Sequence, residues 1–130
     1  MFVFRLDKRS GVPPYLQLVH QVRQAVLLGY LQQDDQLPLI REVVGSLAIN
    51  PNTVSKAYRQ LEQEGLVTSR PGQGTFVIAA PHTVSPATYT SLRRNLERWL
   101  RSAYDAGLDD EAIDALVSAT RRDLEAEGVA

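Results

Sequence analysis

Apolar positions along this chain change their spacing several times, and each change marks an element. In "FVFRLD", Phe2, Phe4 and Leu6 alternate with Val3 and Arg5, which predicts a short strand. "RSGVPP" interrupts the alternation, and Pro13 or Pro14 suits the first position of a helix. From there Tyr15, Leu18, Val19, Val22, Ala25 and Val26 fall three and four residues apart, a helical stripe that Gly29 can close. "LQQDDQLP" reads as a polar connection. Beyond it, Ile40, Val43, Val44 and Leu47 form the inward stripe of a short second helix, with Arg41 turned elsewhere. "AIN" makes a turn, and a third helix runs from Pro51, with Asn50 as its N-cap, to Gly65. Its inward residues are Val54, Ala57, Tyr58 and Leu61.

The spacing then shortens again. "LVTSR" and "TFVI" are two β-prone runs separated by "PGQG", which predicts a hairpin. "AAPHTVSPAT" carries prolines toward both ends and reads as a linker. Two more helical stripes follow, one of Leu92, Leu96, Trp99, Leu100 and Ala103, the other of Ile113, Leu116, Val117, Thr120 and Leu124. Asp109 can cap the last helix while Leu108 and Ile113 form a hydrophobic staple. The expected fold is mainly α with a small β wing. A winged helix-turn-helix domain covers residues 1–79, a linker residues 80–88, and a two-helix tail residues 89–130.

Composition narrows what such a chain can do. Its 130 residues, 44% hydrophobic and 22% charged, suit a soluble globular protein. No apolar run approaches the roughly 18 residues of a membrane span. The N-terminus has no secretory pattern, and the absence of cysteine fits a reducing cytosol. Charge is uneven: residues 1–80 carry a net +2 and residues 81–130 a net −3, so the two parts are expected to meet different partners. Catalysis finds no support. His20 and His82 stand far apart in no metal-ligand spacing, and the glycines at 72 and 74 lack the lysine and following helix of a phosphate loop. The expectation is a non-enzyme with no cofactor and no metal.

The outward face of the third helix is the informative one. It carries Asn52, Ser55, Lys56 and Arg59 rather than an acid–base mixture. In a helix-turn-helix the second helix of the pair enters the major groove and reads bases from its N-terminal turns. An abrupt start at Asn50–Pro51 is expected to turn backbone N–H groups toward a phosphate. A capped amphipathic surface helix would show the same polar face. The preceding helix and following hairpin, in this order, favour the DNA reading.

With these motifs placed, residues 13 to 77 resemble the DNA-binding domain of the GntR family of bacterial transcription regulators. The resemblance is carried by "PPYLQLVHQVRQAVLLGYL", "LPLIREVVGSLAINPNTVSKAYRQLEQEGLV" and "TSRPGQGTFV". The short tail, including "LDDEAIDALVSATRRDL", resembles the YtrA-like branch. The resemblance implies DNA contacts from Arg41 on the second helix and from Asn50, Asn52, Thr53, Ser55, Lys56 and Arg59 on the recognition turn and helix. It implies further contacts from Arg70, Gly72, Gln73, Gly74 and Thr75 on the wing. Arginine can pair bidentately with guanine and asparagine with adenine, and a glycine turn brings main-chain N–H groups close to phosphates. Three positions depart from the family pattern. Leu39 replaces the usual capping serine and leaves Glu42 without its reciprocal partner, a loss of about 1 kcal/mol. Pro51 stands where many members have arginine, and Ser55 is neutral where a longer polar or basic side chain is frequent. Together these predict fewer charged contacts and an altered sequence preference.

The tail is too small to enclose a metabolite. Its stripes, Leu92, Leu96, Trp99, Leu100 and Ala103 on one helix and Ile113, Leu116, Val117 and Leu124 on the other, are expected to pack against a second copy in a two-fold interface. Folding back onto the chain's own DNA-binding domain is the alternative. A homodimer would read an inverted repeat in double-stranded DNA, and family resemblance suggests a cytoplasmic bacterial repressor of a transport operon and of itself. A small-molecule effector, if one acts, would have to prefer one dimer geometry. The competing class is a winged-helix protein–protein module without specific DNA binding.

Overall fold

The computed structural model describes residues 2–78 and 84–128. The chain divides after Pro86 into two compact units, each described by itself.

The first unit contains α1 (Pro14–Leu27), α2 (Ile40–Leu47), α3 (Pro51–Gln63), β1 (Val67–Arg70) and β2 (Gly74–Val77). Its core is the set of stripes expected from spacing: Leu18, Val19, Val22, Ala25 and Val26 of α1, Val43 of α2, and Val54, Ala57, Tyr58 and Leu61 of α3 are all buried. Phe4, Leu31, Leu37, Val67 and Val77 complete it. Helix α3 is the hub, packing on α1, α2 and β1. Pro14 opens α1, and Gly29 (φ +79) follows its last turn. β1 and β2 pair antiparallel, Val67 opposite Val77 and Arg70 opposite Gly74, which makes the expected hairpin.

Three expectations need correction. The N-terminal segment alternates as expected, with Phe4 buried and Phe2 and Leu6 packed on the core, but residues 2–7 join no sheet. Glutamine side chains replace the missing strand. Gln21 accepts the Arg5 N–H at 2.9 Å and donates to the Arg5 carbonyl at 2.5 Å. Gln17 does the same for Asp7, at 2.8 and 2.9 Å. One turn apart on α1, the two amides satisfy the backbone groups that a ladder would have bonded.

The polar connection is the second correction, because it edges the hairpin. Asp34 N–H donates to the Val77 carbonyl (2.9 Å), Val77 N–H to Asp35 (2.8 Å) and Leu37 N–H to Thr75 (2.9 Å), with Gln36 bridged to Phe76. The third concerns Ile40. At the first position of α2 it is 37% exposed rather than inward.

The second unit holds α4 (Pro86–Asp105), all but its first residue, and α5 (Asp110–Ala126). α4 begins inside the segment expected to be linker, since Pro86 is preset for a first helical turn. Residues 80–83 of that linker, with His82, lie outside the described residues. Gly107 (φ +98) makes the turn between the helices. Asp109 caps α5 by accepting the Ala112 N–H at 2.9 Å, Ile113 and Ala103 are buried, and Leu108 is half-buried as a staple requires. Tyr104 donates to Asp110 at 2.5 Å across the turn, and that bond holds its hydroxyl above the ordinary phenol value.

Candidate nucleic-acid interface

The helix-turn-helix is set by two local devices. At the start of α2, Glu42 Oε1 accepts the Leu39 N–H at 3.0 Å, so half of a capping box survives without the serine. Leucine has no side-chain acceptor to return the bond. Between the helices, Ala48 adopts φ +54, a left-handed conformation that turns the chain sharply toward Asn50.

Asn50 then caps α3 as expected, its Oδ1 accepting the Asn52 N–H at 2.8 Å. Thr53 N–H bonds the Asn50 carbonyl at 3.0 Å, and Pro51 has no N–H to offer. The backbone donors expected to face a phosphate are therefore satisfied within the turn. What this end presents outward is side chains.

Those side chains are well backed. With Val54, Ala57, Tyr58 and Leu61 buried, Asn52, Lys56 and Arg59 are exposed and Thr53 and Ser55 half-buried along the opposite side. Lys56 places Nζ 3.9 Å from the centre of the Tyr15 ring, a cation–π contact that steadies it beside α1. Arg23 of α1 binds Glu64 at 2.5 Å just beyond α3, and this hydrogen bond holds the Glu64 carboxyl below the usual range.

Arg41 is exposed and lines a shallow cavity of about 300 Å³ together with Pro38, Leu39, Ile40, Tyr58, Gly74 and Thr75. α2 and the base of the wing are thus brought together, next to α3. Tyr58 anchors this corner by donating to the Pro38 carbonyl at 2.7 Å. Burial, with Glu42's charge adding to it, pushes its hydroxyl above the ordinary phenol value, so it remains a donor.

On the wing, Gly72 and Gln73 are exposed at the turn. Gly74 has φ +125, and a Cβ there would lie 2.6 Å from Gln36 Nε2, so that side chain would have to move. That same Nε2 donates to the Gln73 carbonyl at 2.8 Å and ties the turn to the α1–α2 connection. Arg70 does not reach beyond the turn. Its guanidinium lies 4.2 Å over the Phe76 ring and pairs with Asp34 at 2.9 Å. Sequence reading missed Asp34 and Gln36. Both sit in a loop without periodicity, and their roles depend on strands far along the chain.

A family model described as "Bacterial regulatory proteins, gntR family" matches residues 14–77. The HTH-type transcriptional repressor YtrA of Bacillus subtilis is 32% identical over 123 residues, 94% of this chain and 95% of the relative. The chain belongs to the GntR family. Its similarity to YtrA runs through the tail as well as the winged helix, placing it on the YtrA-like branch of that family. Among solved structures, YtrA from Sulfolobus acidocaldarius, a GntR-family transcription factor, matches with TM-score 0.54 and 29% identity over 77% of this chain and 99% of that one. A transcriptional antiterminator from Listeria monocytogenes EGD-e matches with TM-score 0.59 and 30% identity, covering 95% and 92%. The GntR family and the B. subtilis repressor are transcription regulators rather than enzymes, and the winged helix is the family's DNA-binding domain. No helix among the described residues is long and apolar enough to cross a membrane.

Proposed function

We propose that the chain is a cytoplasmic repressor that binds an inverted-repeat operator as a homodimer. α3 lies in the major groove, Arg41 reaches the flanking backbone or a base, and the wing meets the adjacent minor groove or phosphates. The observation that carries this reading is the backed face of α3, with its apolar side wholly buried and Asn52, Lys56 and Arg59 exposed opposite. In this reading Asn52 and Arg59 supply base contacts, and Thr53, Ser55 and Lys56 position the helix on phosphates. Asn50 acts mainly as the cap that fixes the direction of α3. Gly72, Gln73, Gly74 and Thr75 shape the wing for close backbone approach.

The tail supports the dimer. Leu92, Leu96, Trp99, Leu116 and Leu124 are all more than a third exposed, while Leu100 and Val117 are half-buried. Only Ala103 and Ile113 of the expected interface are already covered within the unit. Apolar stripes of this length are normally covered by a partner, and a two-fold axis through them would pair two reading heads. Within this reading the regulated genes are a transport operon and the protein's own gene, a part that rests on family resemblance alone. An effector would act by favouring one dimer geometry.

Selection of bound duplexes from a random-sequence pool, with sedimentation equilibrium of the free protein, tests both parts. The reading expects an enriched inverted repeat with half-sites one helical turn apart and a dimer in solution. Enrichment of no repeat, or a monomer at high micromolar concentration, would contradict it.

A further inference from the structure

The wing arginine is occupied. Its partner Asp34 adopts φ +70, in the left-handed region that aspartate and asparagine enter more readily than other residues with a Cβ. Its turn does not depend on its own carboxylate. Asp35 closes the turn by accepting the Gln32 N–H at 2.8 Å, and the Asp34 N–H is held by the Val77 carbonyl. The Asp34 carboxylate instead receives Arg70 Nη2 at 2.9 Å. To reach it, the Arg70 side chain runs over Phe76, away from the hairpin turn where a nucleic acid would approach.

We propose that Asp34 is an internal competitor for phosphate, holding Arg70 back and setting the strength of the wing's contact with DNA. The inference rests on the DNA-binding reading above. The pair suits replacement rather than support of the fold, since both side chains are substantially exposed, 42% for Arg70 and 66% for Asp34. Exposed pairs add little to stability, so a phosphate offering two oxygens can displace the carboxylate. When that happens Asp34 regains a solvent cation. The wing then neutralises one phosphate at the expense of one newly exposed acid, and net counterion release is reduced.

The test uses fluorescence anisotropy of the full chain on two duplexes, one selected from a random pool by the unaltered protein and one of mixed sequence. Asp34→Asn and Asp34→Gly remove the charge while tolerating the positive φ, so the loop keeps its shape. Both are expected to bind both duplexes about two- to fivefold more tightly. The salt slope should steepen by up to about 0.9 per protomer. Neither gain should survive in an Arg70→Ala background, and thermal unfolding should not move. Weaker binding by the Asp34 variants would show that the carboxylate positions Arg70 for DNA, and a gain that persists without Arg70 would show a general charge effect; either overturns the proposal. DNA binding without any gain overturns the proposal alone. Failure of the unaltered chain to bind either duplex removes the DNA-binding reading and the proposal together.

Discussion

Tyr58 links the core to the interface through a single oxygen. Its ring is buried beside Phe4, centroids 6.3 Å apart, and its hydroxyl holds the Pro38 carbonyl just before α2. Tyr58→Phe keeps the packing and leaves that carbonyl unpaired, which should cost about 1 kcal/mol in urea unfolding. The turn residue behaves oppositely. Ala48 at φ +54 is strained by its Cβ, so Ala48→Gly should raise stability by up to about 1 kcal/mol. The wing glycines separate by environment. Gly72 has open space around its missing Cβ, whereas Gly74 meets Gln36 and Leu39. Gly74→Ala should therefore destabilise by more than Gly72→Ala, the latter costing about 1 kcal/mol of backbone strain. Thermal unfolding of the two variants side by side checks the order.

Elements are legible in the sequence where one face repeats, and illegible where a partner lies far away. The stripes on α1 and α3 are local patterns, so spacing alone places Leu18, Val22, Val54 and Leu61 inward, and all four are buried. "FVFRLD" alternates like a strand, but its partner is a pair of glutamine side chains, which no period announces. The Gln32–Leu37 loop has neither alternation nor β-branched residues, yet the returning β2 bonds it at Asp34, Asp35 and Leu37. The same distance hides Arg70's partner: Arg70 is legible as a wing cation, while the pairing to Asp34 spans 36 residues. At this scale the Arg23–Glu64 pair ties α1 to the end of α3. Glu64's carboxyl lies below its ordinary value, chiefly through the Arg23 hydrogen bond. Its contribution to stability is therefore present above the unfolded glutamate value, about 4.3, and is lost as pH falls through the lower folded value. Glu64→Gln should flatten the acid limb of the stability–pH curve. It should lower neutral-pH stability only slightly, because the pair is solvent-screened.

For the whole molecule, affinity depends on whether two reading heads are joined. One winged helix offers few cations, and Arg70 is already paired, so a monomer would hold DNA weakly. In the proposed dimer the exposed stripe of Leu92, Leu96 and Trp99 joins the two copies. Leu96→Glu places a charge in that stripe without touching the first unit's core. It should convert the proposed dimer to a monomer in sedimentation equilibrium and weaken operator binding by about 100-fold or more through lost avidity.

The central claim is that α2, α3 and the wing form a salt-sensitive, sequence-selective DNA interface. Its most direct test is anisotropy against DNA from upstream of the protein's own gene and a scrambled duplex, across a salt series, with Arg41→Ala and Arg59→Ala alongside. The account predicts tighter binding to the native duplex, a log–log salt slope of about −0.9 per phosphate neutralised, and loss of roughly 1–3 kcal/mol of discrimination where an arginine reads a base. Weak binding to both duplexes, indifferent to salt and to both substitutions, would contradict it and favour a protein-interaction module.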